Sequence, residues 1–127
     1  MSLIACDINL FCRDPERLMG FYAALLGLPE NAAARSPIYR ALRFGEVELG
    51  FNRTEAYALL GIADRAPAAP ATTAYATFVL GSEAEVEALA ARAETLGGTV
   101  IKPPYRTYYG AWQGVAADPE GNVFRLN

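Results

Sequence analysis

No histidine occurs among the 127 residues of the chain. That absence removes the imidazole from every scheme that needs one: no Ser-His-Asp or Cys-His relay can form, and no neutral nitrogen base is on hand. Cysteine is nearly absent too. Cys6 and Cys12 fall six positions apart in one expected strand, a separation of about 20 Å at roughly 3.3 Å per residue, so a disulfide between them is excluded. Two thiols alone cannot build a zinc site, and these read as packed free thiols. Lysine is reduced to Lys102, and the arginines that carry the remaining positive charge are scattered. With a net charge of -3, the chain has no electrostatic footprint for nucleic acid or an anionic membrane. No apolar run reaches the roughly 18 residues of a membrane span, and the N-terminus lacks a basic segment followed by an apolar one. A glycine-rich phosphate loop is missing as well. The expectation is a soluble, cytoplasmic protein.

What the chain has is a core and a repeat. Hydrophobic residues make up 53% of it, which argues against disorder and for a single packed domain. Twice a strand leads into a capped helix that stops on glycine, and then into further strands. The first unit runs from Asp7-Ile8-Asn9-Leu10-Phe11-Cys12-Arg13 through Asp14-Pro15-Glu16 into a helix over 15–26 that ends at Gly27. The second runs from Tyr75-Ala76-Thr77-Phe78-Val79-Leu80 through Ser82-Glu83-Ala84-Glu85 into a helix that ends at Gly97-Gly98. Asp14 is a good N-cap with Pro15 in the first turn, and Ser82 with Glu85 reads as a capping box.

Periodicity assigns the faces. Ile8, Leu10 and Cys12 form the apolar side of the first strand, so Asp7, Asn9 and Phe11 point away from the helix. The helix stripe is Leu18, Tyr22 and Leu25, with Phe21 and Leu26 beside it. Segments 38–44 and 46–52 read as a hairpin turning at Gly45-Glu46. Residues 54–73, rich in Ala and Pro, read as a linker with one short helical turn, which divides a first module over 1–53 from a second over 74–127. In the second helix the expected buried stripe is Val86, Leu89, Ala93 and Leu96. A short strand over 99–102, a break at Pro103-Pro104, an aromatic loop and two strands around Asp118-Pro119-Glu120-Gly121-Asn122 complete the chain. That turn is assigned to fold.

Two motifs carry a family resemblance. Asp14-Pro15-Glu16-Arg17 with Phe21-Tyr22 and Leu26-Gly27-Leu28 resembles the first-helix signature of the vicinal oxygen chelate superfamily, which includes glyoxalase I, bleomycin resistance proteins, fosfomycin resistance enzymes and extradiol dioxygenases. Asp118-Pro119-Glu120-Gly121-Asn122-Val123-Phe124-Arg125-Leu126 resembles its closing motif. Lys102-Pro103-Pro104 and Thr107-Tyr108-Tyr109-Gly110 are also similar to small members of that group. The resemblance implies an α+β fold of two βαβββ modules whose mixed sheet curls around a cleft, commonly completed by a homodimer. Metal-dependent members hold a divalent ion with His and Glu ligands. At the matching positions this chain has Asp7 for the first His, Tyr75 (or Thr77, if the register slips by two) for the second, a retained Glu48, and Arg125 for the closing Glu.

A guanidinium has no lone pair for a metal and adds a positive charge where the ion would sit. The expectation is therefore a metal-free site without a cofactor. Arg125 either bridges Asp7 and Glu48 as a vestigial salt bridge or meets an anionic or carbonyl group of a ligand. Tyr105, Tyr108, Tyr109 and Trp112, with Arg106 among them, either enclose a flat small molecule or cover a dimer interface. Phe11, Phe44 and Phe51 either line the same cavity or are plain core. The functional expectation is a binder of a small organic molecule whose contacts include Asp7, Asn9, Phe11, Glu48, Tyr75, Thr77, Tyr108, Tyr109, Trp112 and Arg125. Two alternatives stand beside it: a metal-free isomerase or lyase with Glu48 or Asp7 as base and Arg125 as electrophile, and a structural dimer with a vestigial site.

Overall fold

The computed structural model describes residues 2–69 and 71–127. Contacts divide the chain into two units, Met1–Ala69 and Pro70–Asn127, each with its own mixed sheet and helix. Among the described residues no helix is long and apolar enough to cross a membrane.

In the first unit, β1 (Ile8–Cys12) leads into α1 (Pro15–Leu26), then a 3-10 turn, the hairpin β2 (Tyr39–Phe44) and β3 (Val47–Arg53), and the short α2 (Ala56–Leu59). The strand order is β1-β3-β2, with β1 parallel and β2 antiparallel to β3. The strand that a βαβββ module has directly after its helix is reduced here to one bridge, Glu30 to Leu42. Pro29 precedes it, and proline has no N–H to give to a ladder, so the pairing stays local. The α1 ends are set by chemistry visible in the sequence. Asp14 accepts from the Arg17 amide at 3.1 Å, Pro15 opens the helix, and Gly27 closes it at φ 67° with its N–H on the Ala23 carbonyl. A left-handed residue here favours glycine. Leu18, Phe21, Tyr22 and Leu25 are buried, and Tyr22 stacks on Phe51 of β3 with ring centroids 5.6 Å apart. Each such side chain contributes about 1.5–3 kcal/mol on burial, so this stripe holds α1 to one face of the sheet.

The second unit repeats the plan with β4 (Ala76–Phe78), α3 (Glu83–Thr95), β5 (Thr99–Arg106), β6 (Trp112–Ala117) and β7 (Val123–Leu126), in the order β4-β7-β6-β5. Ser82 caps α3 by accepting from the Glu85 amide at 3.2 Å. The buried stripe of α3 is Val86, Ala90 and Ala93, with Leu89 and Leu96 only half-buried. The stripe is thus rotated from the expected one: the small side chains of Ala90 and Ala93 face the sheet, chiefly at β5 and β6, and the leucines stand at the flanks. At the final turn, buried Asp118 accepts from the Glu120 and Asn122 amides at 2.9 and 3.1 Å, with Gly121 at φ 91°.

Two further expectations need correction. The strand expected to break at Pro103-Pro104 continues through both to Arg106, with register shifts between Val100 and Lys102 and between Lys102 and Tyr105. An edge strand tolerates this, since missing donors and bulges on its outer side break no ladder bond. Cys6 lies ahead of β1 and is exposed, whereas Cys12 is buried and its thiol donates to the Asn52 carbonyl at 3.5 Å. The two are therefore not a pair of packed thiols in one strand.

Candidate functional site

In each unit the helix covers one face of the sheet, and the strand alternation puts a second set of side chains on the other. In the first unit the register sets Asn9 beside Gly50 and Phe11 beside Asn52, with Tyr39 opposite Asn52 and Arg43 opposite Glu48. The face away from α1 is consequently polar, and it holds Asp7, Asn9, Glu48, Asn52 and Tyr39.

Glu48 is its centre. One carboxylate oxygen accepts from Asn31 Nδ2 at 2.7 Å, and the other accepts from the Tyr39 hydroxyl at 2.9 Å. The Glu48 backbone N–H donates to Asp7 Oδ1 at 2.9 Å, and Asn52 Nδ2 donates to Asn9 Oδ1 at 3.1 Å. Glycine at position 50 makes this possible. Tyr39 stands opposite Asn52, at the other side of Gly50 from Glu48, so to reach Glu48 its ring must lie diagonally over residue 50. A Cβ there would run into the Tyr39 hydroxyl and Asn9 Oδ1, and would come within 2.8 Å of Tyr39 Cε1. Burial, and then the bond to the Glu48 carboxylate, push the Tyr39 phenol well above its ordinary value. A phenol that holds its proton here is a fixed donor to Glu48. Phe11 sits at the far end of the face, stacked on Tyr57 of α2 with centroids 3.7 Å apart. The helical turn in the linker thus covers one aromatic residue of this face.

In the second unit Thr77 pairs with Arg125, Arg125 with Val115, and Gln113 with Tyr105, so these residues share the face turned away from α3. The half-buried Arg125 donates from Nε to Thr77 Oγ1 at 3.1 Å, and its Cζ lies 5.3 Å from the centroid of the Tyr75 ring. Gln113 is 6% exposed and is clasped by two tyrosines: its Oε1 accepts from the Tyr109 hydroxyl at 2.6 Å and its Nε2 donates to the Tyr105 hydroxyl at 2.9 Å. Lys102 Nζ lies 3.7 Å from the centroid of the Tyr105 ring.

The structure distributes the expected site residues unevenly. Asp7, Asn9, Phe11 and Glu48 share one face in the first unit; Tyr75, Thr77 and Arg125 are held together in the second. Tyr109 joins Gln113, whereas Tyr108 is fully exposed and meets Tyr109 edge to face. Trp112 stands on the α3 side, where its indole donates to Glu87 at 3.0 Å beneath the Arg106 guanidinium. Phe51 is fully buried core and Phe44 is exposed at the end of β2. Sequence reasoning missed Asn31, Tyr39, Asn52 and Gln113 as partners, and named Tyr105 only as one of the aromatic group without its bond to Gln113. A glycine inside an otherwise apolar strand, Gly50, was the one available signal, because it marks close approach of another group.

Among the described residues no group of three or more His, Cys, Asp or Glu could hold an ion. Both Glu48 oxygens already accept hydrogen bonds, and Arg125 has no lone pair to give.

Comparison with known proteins agrees with the architecture. The sequence model of a family described as glyoxalase-like domain matches residues 4–127. The chain is similar to the crystal structure of a glyoxalase/bleomycin resistance protein/dioxygenase family enzyme from Burkholderia phytofirmans PsJN, with 38% identity, a TM-score of 0.90, and coverage of 95% of this chain and 94% of that one. In fold alone it is similar to a glyoxalase-related enzyme from Fulvimarina pelagi, at 22% identity and TM-score 0.84 over 99% of this chain and 87% of that one. The same holds for a lactoylglutathione lyase from Agrobacterium tumefaciens, at 21% identity and TM-score 0.71 over 99% and 92%. No curated protein matches.

Proposed function

The chain belongs to the glyoxalase-like domain family, and from that premise we propose that it is a metal-independent protein that binds a small organic molecule on the polar, helix-free faces of its sheets. The observation that carries this reading is Arg125. At the position where metal-dependent relatives of the resembling group would place a ligating carboxylate, this chain has a guanidinium. Thr77 and Tyr75 fix it in place, with its outer N–H groups left for an anionic or carbonyl group of a ligand. Glu48 supports the reading from the other side. Its charge is met by the amide of Asn31 and the hydroxyl of Tyr39, neutral donors that need no ion.

Untagged protein, dialysed and then titrated with nickel, zinc, manganese and iron, tests the metal half directly. The expected result is no stoichiometric uptake; one tightly bound ion per chain, lost in Glu48→Gln, would overturn it. A second reading draws on the same glutamate: a metal-free isomerase or lyase in which Glu48 is the base and Arg125 the electrophile. Turnover of a carbonyl substrate that vanishes in Glu48→Gln with binding retained would favour that enzyme.

Assembly as a symmetric homodimer is part of the proposal. The edge positions of β1 and β4 leave unpaired backbone groups, and Leu3, Ile4 and Val79 are 87%, 88% and 78% exposed beside them. Light scattering at micromolar concentration should return twice the chain mass, and a monomer would count against it.

A further inference from the structure

We infer that the open face of the second sheet takes a small planar organic acid carrying a hydroxyl at the end remote from its carboxylate, a class that rests on the small-molecule reading above. Two anchors define it. The first is Arg125, whose Nε is committed to Thr77 Oγ1 at 3.1 Å and whose plane is steadied against Tyr75. With Nε used, the remaining N–H groups present the edge that a carboxylate meets in a forked pair.

The second anchor is Gln113 with its two tyrosines. The amide is nearly inaccessible, at 6% exposure, and each of its ends is used. Tyr105 accepts from Nε2, so its own proton remains to be donated; Tyr109 donates to Oε1, so its oxygen remains to accept. Turning the amide over exchanges the two roles and still leaves one donor and one acceptor, so the conclusion is independent of how the amide is oriented. A ligand carbonyl would use only the donor, and an ammonium only the acceptor. A hydroxyl uses both.

The spacing suits one ring. Arg125 pairs with Val115, and Gln113 lies two residues further along the same strand, which puts the two backbone positions about 8 Å apart on ordinary sheet spacings. The guanidinium leans away toward Tyr75, so the polar ends are separated by more than that. Half-buried Val115 lies between them as an apolar floor for the ring.

NMR-detected titration of the full chain with para-hydroxybenzoate, benzoate and para-hydroxybenzyl alcohol tests the class. The expected order is para-hydroxybenzoate tighter than either of the others by about tenfold, the worth of one lost polar anchor. Tyr105→Phe keeps the ring beside Lys102 and removes the donor half of this anchor, so it should bring para-hydroxybenzoate toward the level of benzoate while leaving benzoate unchanged. Arg125→Met should weaken both acids and spare the alcohol. Equal binding of benzoate and para-hydroxybenzoate would overturn the hydroxyl anchor, and equal binding of the alcohol and the acid would overturn the Arg125 anchor. If none of the three perturbs this face while neutral or cationic fragments do, the acid class falls and the small-molecule reading survives. Failure of every fragment in a broad set would sink both.

Discussion

Replacing Tyr39 by phenylalanine removes one atom and tests the polar face of the first sheet. The Tyr39 hydroxyl donates to Glu48 at 2.9 Å, and the ring that carries it lies over Gly50. Tyr39→Phe keeps the ring and deletes the bond. A hydrogen bond to a charged group contributes roughly 1.5–3 kcal/mol, and because Tyr39 and Glu48 are only half-buried, water can replace part of it; the expected loss at neutral pH is about 1.5 kcal/mol. Urea unfolding should show a lower midpoint with an unchanged slope. The pH dependence is a second readout. Tyr39 is raised above its ordinary value by burial and by Glu48, so the folded state holds this proton more tightly than the unfolded one. That contribution is complete below the unfolded value of about 10 and is lost as pH rises from there toward the folded value. The gap between wild type and Tyr39→Phe should therefore narrow above about pH 10. Gly50→Ala should cost a similar amount by displacing the same ring, and the two substitutions should add to less than their sum because they break one shared bond. A loss below about 0.5 kcal/mol in Tyr39→Phe with an unaltered alkaline limb would mean that the bond to Glu48 is not formed and that the face is not organised around it.

Three other outcomes are expected. Glu30 is hydrogen-bonded by Arg35, which holds its carboxyl below the usual range; its contribution to stability should be present above the ordinary carboxylate value of about 4.3 and be lost as pH falls through the depressed one, and a carboxyl NMR titration in Arg35→Ala should show Glu30 returning to that ordinary value. Asp118→Ala leaves the Glu120 and Asn122 amides without their acceptor in a half-buried turn, and thermal unfolding should register a loss of about 1–3 kcal/mol. Ser82→Ala strips the N-cap of α3 and should cost about 1 kcal/mol, readable in the unfolding midpoint and in faster amide exchange over the first turn of that helix.

The sequence by itself determined the elements whose causes are local. Asp14, Pro15 and Gly27 mark both ends of α1, Ser82 with Glu85 starts α3, and the hairpin turns at Gly45, because capping and left-handed geometry depend on a few neighbouring residues. Strand alternation likewise put Asp7, Asn9 and Phe11 on the side away from α1. Family membership was legible for the same reason, since its two motifs are a capped helix and a tight closing turn. Contacts that depend on register were decided only by the tertiary structure. Tyr39 reaches Glu48 because β2 pairs with β3 so as to lay its ring across Gly50, and Gln113 meets Tyr105 because β5 runs on through Pro103 and Pro104 and resumes its pairing with β6 beyond them, while Tyr109 reaches Gln113 from the following loop. Trp112 lies one position from Gln113 yet faces α3, since successive side chains of a strand point to opposite sides of the sheet. Local pattern fixes which residues share a strand face; which of them touch depends on pairings across up to 48 residues of chain, as with Thr77 and Arg125, and those are set by how the whole sheet assembles.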